Sequence, residues 1–257
     1  MGEGIQAHRG AVVRRLLLLP AVVLFVVCGS CKAPPAEVPA IPEEPPLSAV
    51  ERQRYAQAES LLRSADPEAR ERAAVALLSM DHPDALATVL DVMGGAEDPA
   101  VRASMIQAAA FCTDHRCFEA VLGAMADPDA SVQRAAADAL ARFTRPQEVR
   151  AVAEYVTAPE TPERQRTLLY QALGRGLAVP AVPVLLDALE NEEGEARLAA
   201  WEALKRISRR DLPAEAGAWR EWWAANSHRT RTDVLEEHLR AASGEVEAMS
   251  GQLRDLE

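Results

Sequence analysis

The stretch Asp127-Pro-Asp-Ala-Ser-Val-Gln-Arg-Ala-Ala-Ala-Asp-Ala-Leu140 sets the reading of the whole chain, because its last nine residues recur four more times along it. The copies of Val132–Leu140 are Ala69–Leu77, Val101–Ala109, Gln165–Leu173 and Ala196–Leu204, and their first residues stand 32, 31, 33 and 31 apart. Internal repetition at such a period is the mark of a stacked architecture. The second position is Arg in four copies and Gln in one, and the eighth is Ala76, Ala108, Ala139, Ala172 or Ala203. Positions 1, 5, 8, 9 and 12 are mostly small or apolar, the twelfth being Met80, Cys112, Phe143, Gly176 or Ile207. Spacings of 4 and 3 put them on one helical stripe. An alanine that recurs at one register position predicts a close helix–helix approach with room for a methyl group only.

Turn chemistry announces each of these helices. Asp66-Pro67 and Asp98-Pro99 set a capping carboxylate before a proline in the first turn, where the missing N–H costs nothing. Asp127-Pro128-Asp129 and Thr161-Pro162 read likewise, and Glu193-Gly194 is a weaker version. Between them lie second amphipathic stretches at 83–93, 116–126, 147–157 and 181–189, three of them opened by Pro83, Pro146 and Pro180. The unit is helix, turn, helix, and the chain is predicted to be all-α, since Ala and Leu abound and strand-like alternation is scarce.

These residues resemble a HEAT-repeat solenoid of the short type over residues 48–212, with Asp-Pro-x-Ala/Val-Arg opening the second helix at 66–70 and 98–102, followed by Ala and Leu at helical spacing. The tetratricopeptide and ankyrin signatures are absent. The resemblance implies a right-handed α-α superhelix, stabilised by contacts between neighbours, whose concave surface is lined by the second helices and binds other proteins or peptides. The partner-facing candidates on that surface are Gln107, Arg134, Asp138, Arg142, Gln171, Arg175 and Arg206. Arg142, Arg175 and Arg206 share one position in successive units, a basic strip on a chain of formal charge −11. Two readings stand: a groove for an acidic segment, or a solvated face.

Phe111-Cys-Thr-Asp-His-Arg-Cys-Phe118 is the one cluster with metal-like residues. Cys112 falls at a core position by register. A disulfide Cys112–Cys117 across the turn is the first expectation, two buried thiols the second, and a zinc site the last, because Cys112, His115 and Cys117 supply at most three ligands. No metal and no cofactor is expected. No nucleophile–base pair, phosphate loop or paired carboxylates are seen, and Gly174-Arg-Gly lacks the rest of a dinucleotide fingerprint. The chain is therefore read as non-catalytic. One enzymatic alternative comes by resemblance: HEAT-like repeats also build bilin lyases and isomerases.

Ala218-Trp-Arg-Glu-Trp-Trp-Ala-Ala-Asn226, within residues 213–227, holds three of the four tryptophans. Trp219 and Trp223 share a face, as a helix closing the solenoid requires, although an aromatic ligand platform has the same spacing. The element is similar to a Trp-x-x-Trp-Trp segment that follows HEAT-like repeats in bacterial envelope proteins of planctomycete type. In 228–257, Leu235, Leu239, Ala242, Val246, Met249, Leu253 and Leu256 alternate by 4 and 3, a heptad seam weakened by Gly244 and Gly251. Such a helix either pairs with a copy of itself, giving a homo-oligomer, or folds back on the solenoid.

The front of the chain reads as a targeting segment. Arg9, Arg14 and Arg15 precede an apolar run from Leu16 to Val27, broken by Pro20 and followed by Gly29 and Ser30. That is the order of an export signal, and the run is short for a membrane span. The cleavage region resembles a bacterial lipobox, which implies lipidation of Cys31 and removal of residues 1–30; Cys28, where leucine is usual, is the departure. A simple signal peptide or an uncleaved anchor are the other readings. Lys32, where aspartate would mark inner-membrane retention, favours the outer membrane, facing the periplasm of the bacterial cell envelope. Residues 31–47 then form a tether rich in proline, reaching up to ~50 Å at ~3.1 Å per residue. A chain of formal charge −11 whose basic strip is three arginines is read as no nucleic-acid binder, since phosphate binding needs a broad basic face.

Overall fold

In the computed structural model the described residues are 47–254, with side chains through Ser250; the signal-like segment, Cys31 and the tether up to Pro46 lie outside them. Twelve α-helices and no strands make up this region. They are α1 Ala49–Leu61, α2 Pro67–Leu78, α3 Pro83–Gly95, α4 Pro99–Ala109, α5 His115–Gly123, α6 Ala130–Leu140, α7 Pro146–Thr157, α8 Glu163–Arg175, α9 Val182–Asn191, α10 Gly194–Ser208, α11 Ala216–Asn226 and α12 Arg231–Arg254. Pro180 lies in a single 3₁₀ turn, Val179–Ala181, ahead of α9.

The helices pair as antiparallel hairpins, α1 with α2 through α9 with α10, and the even-numbered helices stack in order, α2 on α4, α4 on α6, α6 on α8 and α8 on α10. The register alanine explains the stacking. Ala108, Ala139, Ala172 and Ala203 are all buried. A methyl group added at Gly174 would sit 2.7 Å from the Ala203 Cα, so α8 and α10 approach as closely as backbones allow. Ala76 departs from the expectation: it is exposed, because no described helix lies ahead of α2 in the stack. Core side chains form one continuous cluster from Ala58 to Val234.

Caps at the helix starts follow the turn reading in part. Asp66 accepts from the Glu68 N–H at 3.0 Å and Asp98 from the Ala100 N–H at 2.9 Å. At the third turn the cap is Asp129, which accepts from the Ser131 N–H at 2.8 Å. Asp127 instead accepts from the Asp129 N–H and from Arg102. Thr161 does not cap α8; its hydroxyl donates to the Tyr155 carbonyl at 2.6 Å, and Pro162 holds the cap position without a side-chain bond.

The second-position residue ties turns together, a role its type alone did not disclose. Arg70 donates to the Ser64 carbonyl at 2.7 Å and also reaches Ala100 O. Arg102 donates to Ala96 O at 2.7 Å and grips Asp127 of the next turn through Nε and Nη2 at 2.8 and 2.9 Å. Gln133 reaches Asp127 O at 2.8 Å. Arg166 donates to Thr161 O and holds Glu192 at 2.6 and 3.0 Å. Arg197 donates to Ala214 O at 2.8 Å, in the loop between α10 and α11. A guanidinium fork is suited to this, since one face takes carbonyls of its own turn while the other takes a carboxylate from the next. The bond from Arg102 holds the Asp127 carboxyl below the usual carboxylate range.

At the C-terminal end α11 lies on α9. Trp219 is wholly buried and its indole N–H donates to Pro213 O at 2.8 Å, while Arg220 bridges to Asp187 and Glu190 of α9. Trp222 and Trp223 pack half-buried beside it.

Candidate functional site

Position 11 of each unit falls at the C-terminal end of the even-numbered helices, and position 7 lies one turn earlier on the same exposed face. In the structure Gln107 on α4, Arg134 and Asp138 on α6, Arg142 just beyond it, Gln171 and Arg175 on α8, and Arg206 on α10 are all exposed. Stacking sets these helices side by side, so the residues form a band that crosses three or more repeats.

Two pairs in this band are brought together. Arg175 reaches back from α8 to α6, with Nη2 2.7 Å from the Asp138 carboxylate and 3.3 Å from Ala137 O. Arg142 lies over the ring of Phe111, 4.4 Å from its centroid. The strip is therefore not three equal cations. Arg175 is paired with Asp138, and the Arg142 guanidinium sits over an aromatic ring. Arg206 stays exposed, and its backbone carbonyl meets His238 Nε2 of α12 at 2.9 Å.

Phe111 is the member that the sequence reading missed. It is 57% exposed, large and apolar. It occupies position 11 of the second unit, the same column as Arg142, Arg175 and Arg206. Reading the column rather than the charge would have found it; beside Cys112 it was taken with a metal-like cluster.

In that cluster, Cys112 and Cys117 are joined as a disulfide that spans the turn between α4 and α5. Both sulfurs are thereby removed as thiolate ligands. His115 pairs with Glu119 at 3.2 Å on the surface and stacks on Phe118. Among the described residues no group of three or more His, Cys, Asp or Glu side chains is placed to hold a metal ion.

The terminal helix uses one face on the solenoid and leaves another open. Val234 is buried, Arg231 donates to Gly176 O at 2.9 Å, His238 meets Arg206 O, and Glu245 pairs with Arg209. Residues 231, 238 and 245 are seven apart, about 10 Å of helix each. Their partners lie at the ends of α8 and then α10, so α12 crosses the ends of the stacked helices and runs on. The first turns of this helix fold back on the solenoid, with Leu235 of the heptad seam packed partly buried on the core, while the rest of the described seam is uncovered. By helical period the mean direction of that seam lies about 60° round the helix. Leu239 and Val246 point away from the solenoid at 67% and 63% exposed, and Met249, one turn past Glu245, is 63% exposed. The Leu253 and Leu256 side chains lie outside the described set.

The family description of HEAT repeats matches residues 56–117 and 95–174 of this chain. Solved structures with a similar chain path include the complex of CpcE and CpcF of phycocyanin lyase from Nostoc, at 19% identity over 72% of each chain with a TM-score of 0.42. An engineered protein matches at 21% identity over 73% of this chain and 94% of its own, with a TM-score of 0.38. Human deoxyhypusine hydroxylase matches at 19% over 72% and 83%, with a TM-score of 0.28. No curated protein matches the chain.

Proposed function

We propose that this all-α, HEAT-like superhelix is a non-catalytic scaffold that binds other proteins through the exposed band of its even-numbered helices. The observation that supports the reading is the mixed character of that band. Phe111 under Arg142 offers a flat apolar and cationic platform, Arg134 and Arg206 stay exposed, and Arg175 is poised on a carboxylate that an incoming acid could replace. A partner segment carrying both an apolar side chain and carboxylates matches it. Pull-down from cell envelopes, with the chain as bait, tests the idea. Phe111→Ala and Arg142→Glu are expected to lose captured partners at least tenfold with an unchanged thermal melt. Equal capture by both variants would sink it.

The same reading places the scaffold at the bacterial envelope, lipid-anchored through Cys31 and held off the bilayer by residues 31–47. Its support is the basic, apolar, small, cysteine order of residues 9–31. A second reading, an assembly subunit that oligomerises through α12, is favoured by the open seam of Leu239, Val246 and Met249. Deleting residues 228–257 separates the two: only the assembly reading has the deletion lowering the oligomeric order while envelope partners are lost with it.

A further inference from the structure

Among the described residues the stack is covered at its C-terminal end and uncovered at its N-terminal end. At the C-terminal end α11 covers α9, with Trp219 fully buried. At the N-terminal end a groove between α1 and α2 faces outward, walled by Arg54, Gln57 and Leu61 from α1, by Arg72 and Ala76 from α2 and by Met80 just past it. Ala76 is the register alanine, and in the other four repeats that alanine is buried, with Ala203 seen to lie under the preceding second helix. Here its methyl group is exposed, in a surface already shaped to take a helix.

The exposed face of α1, which lends Arg54, Gln57 and Leu61 to the groove and carries Val50 beyond it, has a symmetry of its own. Val50, Arg54, Gln57 and Leu61 follow at spacings of 4, 3 and 4, so they form one stripe. Read from either end it runs apolar, polar, polar, apolar. Val50 and Leu61 are 59% and 41% exposed, although each is a large hydrophobe. Two copies of this stripe laid antiparallel across a two-fold axis bring each Val50 against the other's Leu61, and each Arg54 against the other's Gln57, whose side-chain carbonyl can accept from a guanidinium. A contact of this isologous kind requires a surface that complements itself, and the stripe does.

We propose that the open N-terminal end is the contact of a symmetric dimer, in which a second copy of this chain docks the same end with the two α1 helices antiparallel. The formal charge of −11 does not forbid a second copy, because the charged residues lining the groove are Glu51, Arg54 and Arg72, the last paired with Asp66 and Glu68 at its edge. The self-complementary stripe is what selects a second copy. Head-to-tail stacking is disfavoured, since the other end presents the finished surface of α11 instead of an unfilled groove. The contact uses neither the band of the even-numbered helices nor the α12 seam, so it stands apart from the proposed function.

The two-fold pairing makes an unusual demand on cysteine trapping. In full-length chains with Cys28 and Cys31 changed to Ser, in mild detergent, Val50→Cys and Leu61→Cys are oxidised separately and then as an equimolar mixture. The mixture is expected to give several-fold more disulfide dimer than either alone, because each new thiol faces the other variant's. Equal yields in all three samples overturn the antiparallel geometry. Sedimentation velocity supplies the second measurement: Leu61→Glu should weaken the dimer at least tenfold without altering the melt, while Val246→Lys on α12 leaves it in place. A chain that is monomeric at every concentration, or a dimer indifferent to Leu61→Glu, overturns the proposal.

Discussion

Arg102 and Asp127 show what a single side chain does in this stack. The two are bonded at 2.8 and 2.9 Å, both are nearly covered, and Arg102 also holds two carbonyls of its own turn. Removing the guanidinium strands those carbonyls and the carboxylate together, so Arg102→Ala should cost about 1–3 kcal/mol at neutral pH, read from chemical denaturation. The pH dependence has a definite sign. Because the bond from Arg102 depresses the folded-state pKa of Asp127, its contribution is complete above the unfolded value of about 3.9 and is lost as pH falls through the lower folded value. Wild-type melting temperature should therefore drop on acidification below about pH 4, and Asp127→Asn should flatten that drop. Asp114, depressed by its bond from Arg116, leaves some acid sensitivity in the variant. The arginine column was legible in the sequence as a repeat, but its purpose was not. Its carboxylate partners, Asp127 and Glu192, lie 25 or 26 residues away in the turn ahead of the next unit, differ in residue type, and serve only Arg102 and Arg166, while Arg70 and Arg197 bond carbonyls.

At the scale of elements, the helix positions follow from local chemistry, while the use of each face follows from neighbours. Proline and aspartate at the starts of α2 and α4 act as their spacing says. Thr161-Pro162 does not, because the Thr161 hydroxyl finds the nearer Tyr155 carbonyl. The tryptophan helix shows the energetic side. Trp219 is buried and hydrogen-bonded, while Trp222 and Trp223 lie at its margin. Trp219→Ala should destabilise the fold by about 3–5 kcal/mol through the cavity it leaves under α9 and α11. Trp223→Ala should cost clearly less. Equal losses from the two, measured by denaturant unfolding, would mean that α11 is held by its rim and not by its buried ring. The heptad seam of α12 was visible as a pattern, and the pattern correctly marked an apolar face. It could not say that the adjacent face, carrying Val234 and His238, is the one that packs.

Across residues 47–254 stability is a sum over neighbours, since each hairpin touches chiefly the hairpin on either side. The first hairpin has only one such neighbour. Ala58 is the sole buried residue within α1, and Tyr55 ties α1 to α3 through Thr88 at 2.6 Å. Amide hydrogen exchange should accordingly be fastest in α1 and slowest in α6 and α8, with several orders of magnitude between them at concentrations where the chain is monomeric. Uniform protection from end to end would contradict a neighbour-by-neighbour stack.

The amino-acid sequence alone determined the helices, their pairing into units of about 31 residues and the methyl-sized contact that keeps them in register. Periodicity and capping act over a few residues, and repetition writes the same contact several times over. Only the tertiary structure decided that Ala76 is uncovered, that Arg175 is spent on Asp138, that Phe111 carries Arg142, and which face of α12 meets the solenoid. Each of those depends on which helix stands next door, and adjacency in a stack is set by packing between residues some thirty positions apart.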